Sequence, residues 1–201
     1  MQAPIRILKP AVFLLCAFPV AYLIWRIIYR QDSFSANPFT DIRDMTGDWT
    51  LRFITITLAV TPLRQISGWN GAVRFRRMLG LFAFFYGTLH FITYLWFNVY
   101  FDIDKVVADV ARNPFITVGF AGFVLMIPLA ITSTTKWITR LGGKRWRLLH
   151  QAIYLTAILG VIHYIWRLKT NIQNPLIYAV LLALLLGYRV WNKFRAVTVV
   201  R

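Results

Sequence analysis

Apolar residues along this chain come in long unbroken runs, with none of the alternation that marks the strands of a membrane barrel. A helix needs ~20 such residues to cross a hydrocarbon core of ~30 Å. Six runs are legible, at about 11–29, 50–66, 78–98, 115–135, 148–167 and 175–192, the second of them short. Irregular backbone facing lipid would leave peptide groups without partners, so the pattern predicts an all-α integral membrane bundle of six transmembrane helices. Between the runs, "SANPFTD" and "RNPF" join Asn-Pro to polar neighbours, and "ISGWNG" and "RLGGKRW" place glycines where a chain must turn. Pro62 and Pro128 fall late in their runs, where neighbouring helices can satisfy the freed backbone groups, and Pro175 opens the last run.

Composition agrees: 58% of the 201 residues are hydrophobic and the mean hydropathy is +0.58, too apolar for an ordinary soluble domain. The net charge of +16 raises the question of nucleic acid, and the placement of the charges answers it. There is no glutamate, and the seven acids are Asp32, Asp41, Asp44 and Asp48 before the second run and Asp102, Asp104 and Asp109 after the third. Arg64, Arg74, Arg76 and Arg77 follow the second run; Lys136, Arg140, Lys144, Arg145 and Arg147 follow the fourth; Arg189, Lys193, Arg195 and Arg201 end the chain. Loops of alternating sign follow the positive-inside rule, which predicts both termini in the cytoplasm and the acidic loops outside; only Arg167 and Lys169 run against it. The charges therefore track topology, and no nucleic-acid partner is expected. Trp25, Trp49, Trp69, Trp96, Trp137, Trp146, Trp166 and Trp191 lie at or near run ends, as an aromatic belt does. The first run continues through Trp25 into five more and reads as an uncleaved helix, not a signal peptide.

Cys16 is the sole cysteine, so neither an internal disulfide nor a thiolate-held iron–sulfur cluster can form, and any haem is held non-covalently. The three histidines, His90, His150 and His163, all fall within apolar runs. An ionisable residue in hydrocarbon usually marks function, the plain alternative being an imidazole hydrogen-bonded to a neighbouring helix. The third and fifth runs echo each other. Each enters from the basic side, carries a glycine three residues before a late histidine (Gly87 and His90; Gly160 and His163), and has a polar residue thirteen positions before that histidine (Arg77; His150). His90 lies about 20 Å along its helix from Arg77, and His163 about 24 Å from Arg147. Two imidazoles at comparable depth on parallel helices suit the two axial positions of one haem iron. The glycines, on the histidines' faces, would clear room for a flat porphyrin, although glycine also serves plain helix packing. No carboxylate or thiolate within the runs completes a zinc or di-iron set, and a proton relay stays open as an alternative. For His150 and Arg77 three readings stand: a second haem with one protein imidazole, a flavin phosphate site, or an interfacial histidine. His150 and His163 would sit about 140° apart on one ideal helix, which only tilt or a bulge near Gly160 could reconcile.

The segments "NPFTDIRDMTG", "TPLR", "RFRRMLGL" followed by "TLH", "TSTTKWITRLGGKRWRLLH", "YLTAIL" with "IHYIW", and "NPLIYA" resemble the ferric reductase-like transmembrane superfamily over about 37–179. The likeness is strongest to its branch of haem-binding membrane subunits in bacterial methionine sulfoxide reductase systems. That resemblance implies a single ferric reductase-like transmembrane domain over 1–201, multi-pass in the bacterial inner membrane. It implies haem b, one or two, and associated flavin mononucleotide (FMN). The role implied is electron transfer outward to MsrP, a periplasmic molybdopterin subunit that repairs oxidised methionine, with no chemistry on the sulfoxide by this chain. Carried over by position, His90 and His163 become axial iron ligands, with His150 and Arg77 part of an inner site. A chain ending at 201 leaves no room for a dehydrogenase domain, so the expected donor is the quinone pool or a cytoplasmic flavin reductase. Competing expectations are a quinol-oxidising or ferric-reducing cytochrome without MsrP, and a six-helix transporter or assembly protein whose histidines are structural.

Overall fold

The computed structural model describes residues 3–168 and 173–198; Lys169 and Arg201 lie outside them. Among the described residues the regular structure is helical throughout. In chain order the helices are α1 (Ala3–Tyr29), α2 (Pro38–Ser67), α3 (Val73–Phe97), α4 (Ile103–Arg112), α5 (Pro114–Ile131), α6 (Thr135–Leu141), α7 (Gly143–His150), α8 (Ala152–Arg167) and α9 (Gln173–Thr198).

Five stretches are long and apolar enough to cross a membrane: Ile7–Tyr29, Asn70–Phe97, Pro114–Ile131, Gly143–Arg167 and Gln173–Arg195. Their lipid-compatible surface is visible directly, because Leu14, Leu15 and Phe18 on α1 and Ile177, Val180 and Leu184 on α9 all stand exposed. The chain is a multi-pass membrane protein. The second expected span falls in α2, a continuous helix of 30 residues. It is outside the five because Arg43, Asp44, Asp48, Arg52 and Arg64 share it with the apolar segment. Local chemistry explains its ends. Asn37 caps it by accepting the Thr40 N–H at 3.3 Å, Pro38 occupies the first turn, and Gly68 closes it at φ 69°.

α2 is also the most enclosed helix, burying Leu51, Phe53, Ile54, Leu58 and Val60. It packs mainly on α3, as α5 packs on α8, and the two pairs meet through α3–α5 and α2–α8 contacts. α9 covers the α2–α8 side. Two features were not anticipated from the runs. α4 is a short helix on the acidic side, capped by Asp102, lying against α5. The fourth run ends early, at Ile131, where the Thr132 and Ser133 hydroxyls turn back to the Pro128 and Leu129 carbonyls.

α1 packs on this core through Phe13, which meets Phe82, and through a hydrogen-bonded bridge. Pro19 interrupts α1, and the Tyr86 hydroxyl from α3 enters the ladder beside it, donating to the Cys16 carbonyl at 2.9 Å and accepting the Val20 N–H at 3.1 Å. Tyr86 itself is 1% exposed and stacks on Phe53. Tyr86→Phe removes both bonds while keeping the ring, and is expected to cost about 1 kcal/mol, the net worth of a hydrogen bond whose partners can partly re-pair. Thermal unfolding of the detergent-solubilised protein reads this as a lowered midpoint; an unchanged midpoint would show that the bridge adds no stability.

Candidate functional site

Four helices, α2, α3, α5 and α8, enclose a cavity of about 350 Å3 at the end of the bundle that carries the acidic loops. Its walls are largely apolar, with Leu51, Ile54, Phe91, Phe123 and Met126 among them, and Arg43, Asp44, Asp48, Asp109 and Arg167 gather at its polar end. His90 from α3 and His163 from α8 both line it. Their ring centroids are 6.1 Å apart and their planes cross at 81°.

Each ring is seated in the same way on a neighbouring helix. His90 lies over α2, its Nδ1 2.9 Å from the Arg43 carbonyl, against Gly47 one turn further on. His163 lies over α5, its Nδ1 2.6 Å from the Phe115 carbonyl, against Gly119 one turn further on. A carbonyl can only accept, so both Nδ1 atoms carry the proton and both Nε2 atoms keep a free lone pair. This is the tautomer a metal requires, with the carbonyl bond fixing ring orientation and raising ligand basicity. The glycines are needed for the approach. A Cβ on Gly119 would stand 2.5 Å from His163 Nδ1, and one on Gly47 would stand 3.0 Å from His90 Nδ1 and Cε1.

A single metal atom between the rings fits this spacing. A metal–imidazole bond of about 2 Å, and about 1 Å more to the ring centre, gives two reaches totalling roughly 6 Å. Two neighbouring imidazoles without a third ligand suit a haem as donor set, and among the described residues no three of His, Cys, Asp and Glu cluster as a chelate. Three residues that line the cavity also carry buried polar atoms without a hydrogen-bond partner: Arg43 Nε and Asp44 Oδ1 at the polar end, and Thr156 Oγ1. The residues present therefore fit a haem.

Gly87 and Gly160 line the same cavity, but they are not its tightest contacts. A Cβ on either would come to 3.4 Å from an α2 side chain, Thr50 Cγ2 for Gly87 and Leu51 Cδ1 for Gly160. Sequence reasoning missed Gly47 and Gly119, although a signal was present. α2 and α5 both open on Asn-Pro-Phe, at Asn37 and Asn113, and each then presents a glycine.

His150 and Arg77 do not line this cavity. For His150 the chain is interrupted at Gln151, which separates α7 from α8; there is no bulge at Gly160. The interruption, with Gln151 N–H bonding the Leu148 carbonyl at 3.1 Å, removes the single-helix relation between His150 and His163. His150 Nε2 instead lies 3.0 Å from Thr132 Oγ1, its ring stacked 3.9 Å from Trp146, whose Nε1–H donates to the Thr132 carbonyl. Arg77 is exposed, and the arginine within electrostatic range of His150 is its neighbour Arg76, on the face of α3 that also meets Arg189 and Tyr154.

Residues 46–161, which contain His90, Gly47, Phe115 and Gly119 and end two residues before His163, match the family model described as ferric reductase like transmembrane component. Similar proteins along nearly the whole chain carry the name protein-methionine-sulfoxide reductase heme-binding subunit MsrQ. That of Herminiimonas arsenicoxydans is 48% identical over 94% of this chain and 88% of its own length. That of Polaromonas naphthalenivorans is 49% identical over 92% and 84%, and that of Azospira oryzae 48% over 94% and 80%. With a matched transmembrane model and relatives of this identity along nearly its full length, the chain belongs to the MsrQ family of ferric reductase-like transmembrane proteins.

Proposed function

We propose that this chain is a haem b subunit that carries electrons across the bacterial inner membrane to MsrP, supporting repair of oxidised methionine in periplasmic proteins. The observation that supports it most is the pair of imidazoles 6.1 Å apart, each held by Nδ1 on a helix carbonyl with Nε2 left for iron. In this reading the whole chain, 1–201, is one domain of six crossings, α2 being the sixth, with both termini cytoplasmic and the acidic end of the bundle on the periplasmic side. His90 and His163 would hold the iron, and with both imidazoles engaged the bound group would serve electron transfer and not substrate binding. Bound haem would supply a one-electron ferric–ferrous couple. The chain's own residues do the rest: the Arg43 and Phe115 carbonyls make the imidazoles stronger donors, and Leu51, Phe91, Phe123 and Met126 keep water away.

The cytoplasmic side would receive the electron from the quinone pool or a flavin reductase. FMN fits the basic end in charge: Arg76 and Arg189 lie near each other and Arg76 near His150, while the aspartates fall in the segments 32–48 and 102–109.

The decisive test uses the purified full chain in lipid nanodiscs, reduced anaerobically. Addition of MsrP and methionine sulfoxide should reoxidise the haem, read as decay of the reduced α-band, whereas MsrP or sulfoxide alone should not sustain it. A preparation that stays colourless after haem supplementation would exclude a cytochrome; a stable reduced band in the complete mixture would exclude MsrP as acceptor.

A further inference from the structure

We propose that Arg43 anchors a haem carboxylate at the acidic end of the cavity, an inference that rests on the haem reading above. Arg43 already touches the site through its backbone, whose carbonyl accepts from His90 Nδ1 at 2.9 Å. Arg43 is among the residues that line the same cavity. One of its nitrogens, Nη1, donates to Asn98 Oδ1 at 3.0 Å, while Nε is buried and has no hydrogen-bond partner.

The surrounding charges single this arginine out. Three carboxylates line the polar end, and each has other partners. Asp109 accepts from Tyr94 Oη at 2.9 Å and Asn113 Nδ2 at 3.3 Å. Asp48 faces Arg52, at 3.9 Å, and the Tyr164 hydroxyl. Asp44 is ion-paired with Arg167 and lies 3.7 Å from Arg43 Nε. Arg43 and Arg167 thus converge on the same carboxylate, and the Nε–H of Arg43, 3.7 Å from it, is left without a hydrogen-bond acceptor. A buried, unpaired N–H on a cation is costly, and a carboxylate is its natural complement. Haem carries two carboxylates on one edge, so iron held between the histidines brings carboxylates within the same cavity. One residue would then serve both ends of the cofactor: its backbone sets the tautomer of an axial ligand, and its side chain fixes the orientation of the macrocycle with the carboxylate edge toward the acidic loops.

The role is separable from ligation, because Arg43→Gln keeps the backbone carbonyl. The full chain and its R43Q variant are loaded either with haem or with haem dimethyl ester, in which both carboxylates are blocked. Loss of each to an excess of haem-scavenging apoprotein is then timed. The proposal expects R43Q to lose haem about tenfold faster than wild type, the scale of one charge-assisted bond, with the low-spin spectrum unchanged. For the dimethyl ester the two proteins should lose cofactor at the same rate. Asn98→Ala, which breaks the bond between Arg43 Nη1 and Asn98 Oδ1 and spares the arginine's charge, should show no such discrimination. Equal retention of haem by R43Q and wild type would overturn the proposal, as would equal acceleration for haem and ester or a full reproduction of the effect by Asn98→Ala. Should R43Q fail to accumulate, Arg43→Lys is read by the same ratio. A wild-type chain that takes up neither cofactor would overturn the haem reading itself, and this inference with it.

Discussion

Replacement of either His90 or His163 by alanine is expected to abolish the low-spin haem b spectrum, with cofactor retention falling by more than about 100-fold. Hydrogen-bond partners of the ligands alone are worth 10–100-fold at metal sites, and here one of only two bonds from protein to iron would be lost. The variants should still assemble, since each ring bonds a carbonyl that already belongs to a helix, Arg43 in α2 and Phe115 in α5. His150→Ala is the informative contrast. Its ring is engaged by Thr132 and Trp146 outside the cavity, so the low-spin band should persist. Visible and electron paramagnetic resonance spectra of the three proteins check this. A band retained in both His90→Ala and His163→Ala would remove the ligand assignment, and a band lost only in His150→Ala would move the haem to the basic end.

The second large effect is steric. Gly119→Ala places a methyl group 2.5 Å from His163 Nδ1 and 2.7 Å from Cε1, closer than carbon atoms approach without displacement. The ring cannot stay against α5, so its bond to the Phe115 carbonyl breaks and Nε2 leaves its position. Haem retention should drop by about 10–100-fold even though alanine is intrinsically the better helix former by up to about 1 kcal/mol. Gly47→Ala meets His90 at 3.0 Å, a clash that a few tenths of an ångström relieve, and its effect should be smaller. Gly187, with nothing within 4 Å of a built Cβ, should tolerate alanine without loss. Haem titration of the three variants tests the order; indistinguishable affinities for Gly119→Ala and Gly187→Ala would show that the glycine seat does not govern the ligand.

Much of this site can be read in the linear chain. Hydrocarbon imposes one demand, backbone pairing within each segment, and unbroken apolar runs express it without reference to neighbours. The runs at α1, α3, α5, α8 and α9 correspond to stretches apolar enough to cross. His90 and His163 stood out because a polar group in such a run is expensive, and the matched Gly-x-x-His spacing placed both at one depth. Where charge and apolar surface share a helix, the runs say less. α2 reads as a short, doubtful span because its acidic end carries Arg43, Asp44 and Asp48, and those residues are charged because they border an internal cavity and not lipid.

Helix periodicity and depth are properties of a single segment, so the apolar runs and the pairing of His90 with His163 follow from residue order alone. The seats of the two rings do not. Gly47, Gly119 and the Arg43 and Phe115 carbonyls lie on helices other than those of the histidines, 43 to 48 residues away in the chain, and a carbonyl has no side-chain identity to read. The same limit governs the basic end. Whether Arg76 or Arg77 turns toward His150 depends on the rotation of α3 against α8 and α9, about 100° per residue, which packing sets and sequence spacing leaves open.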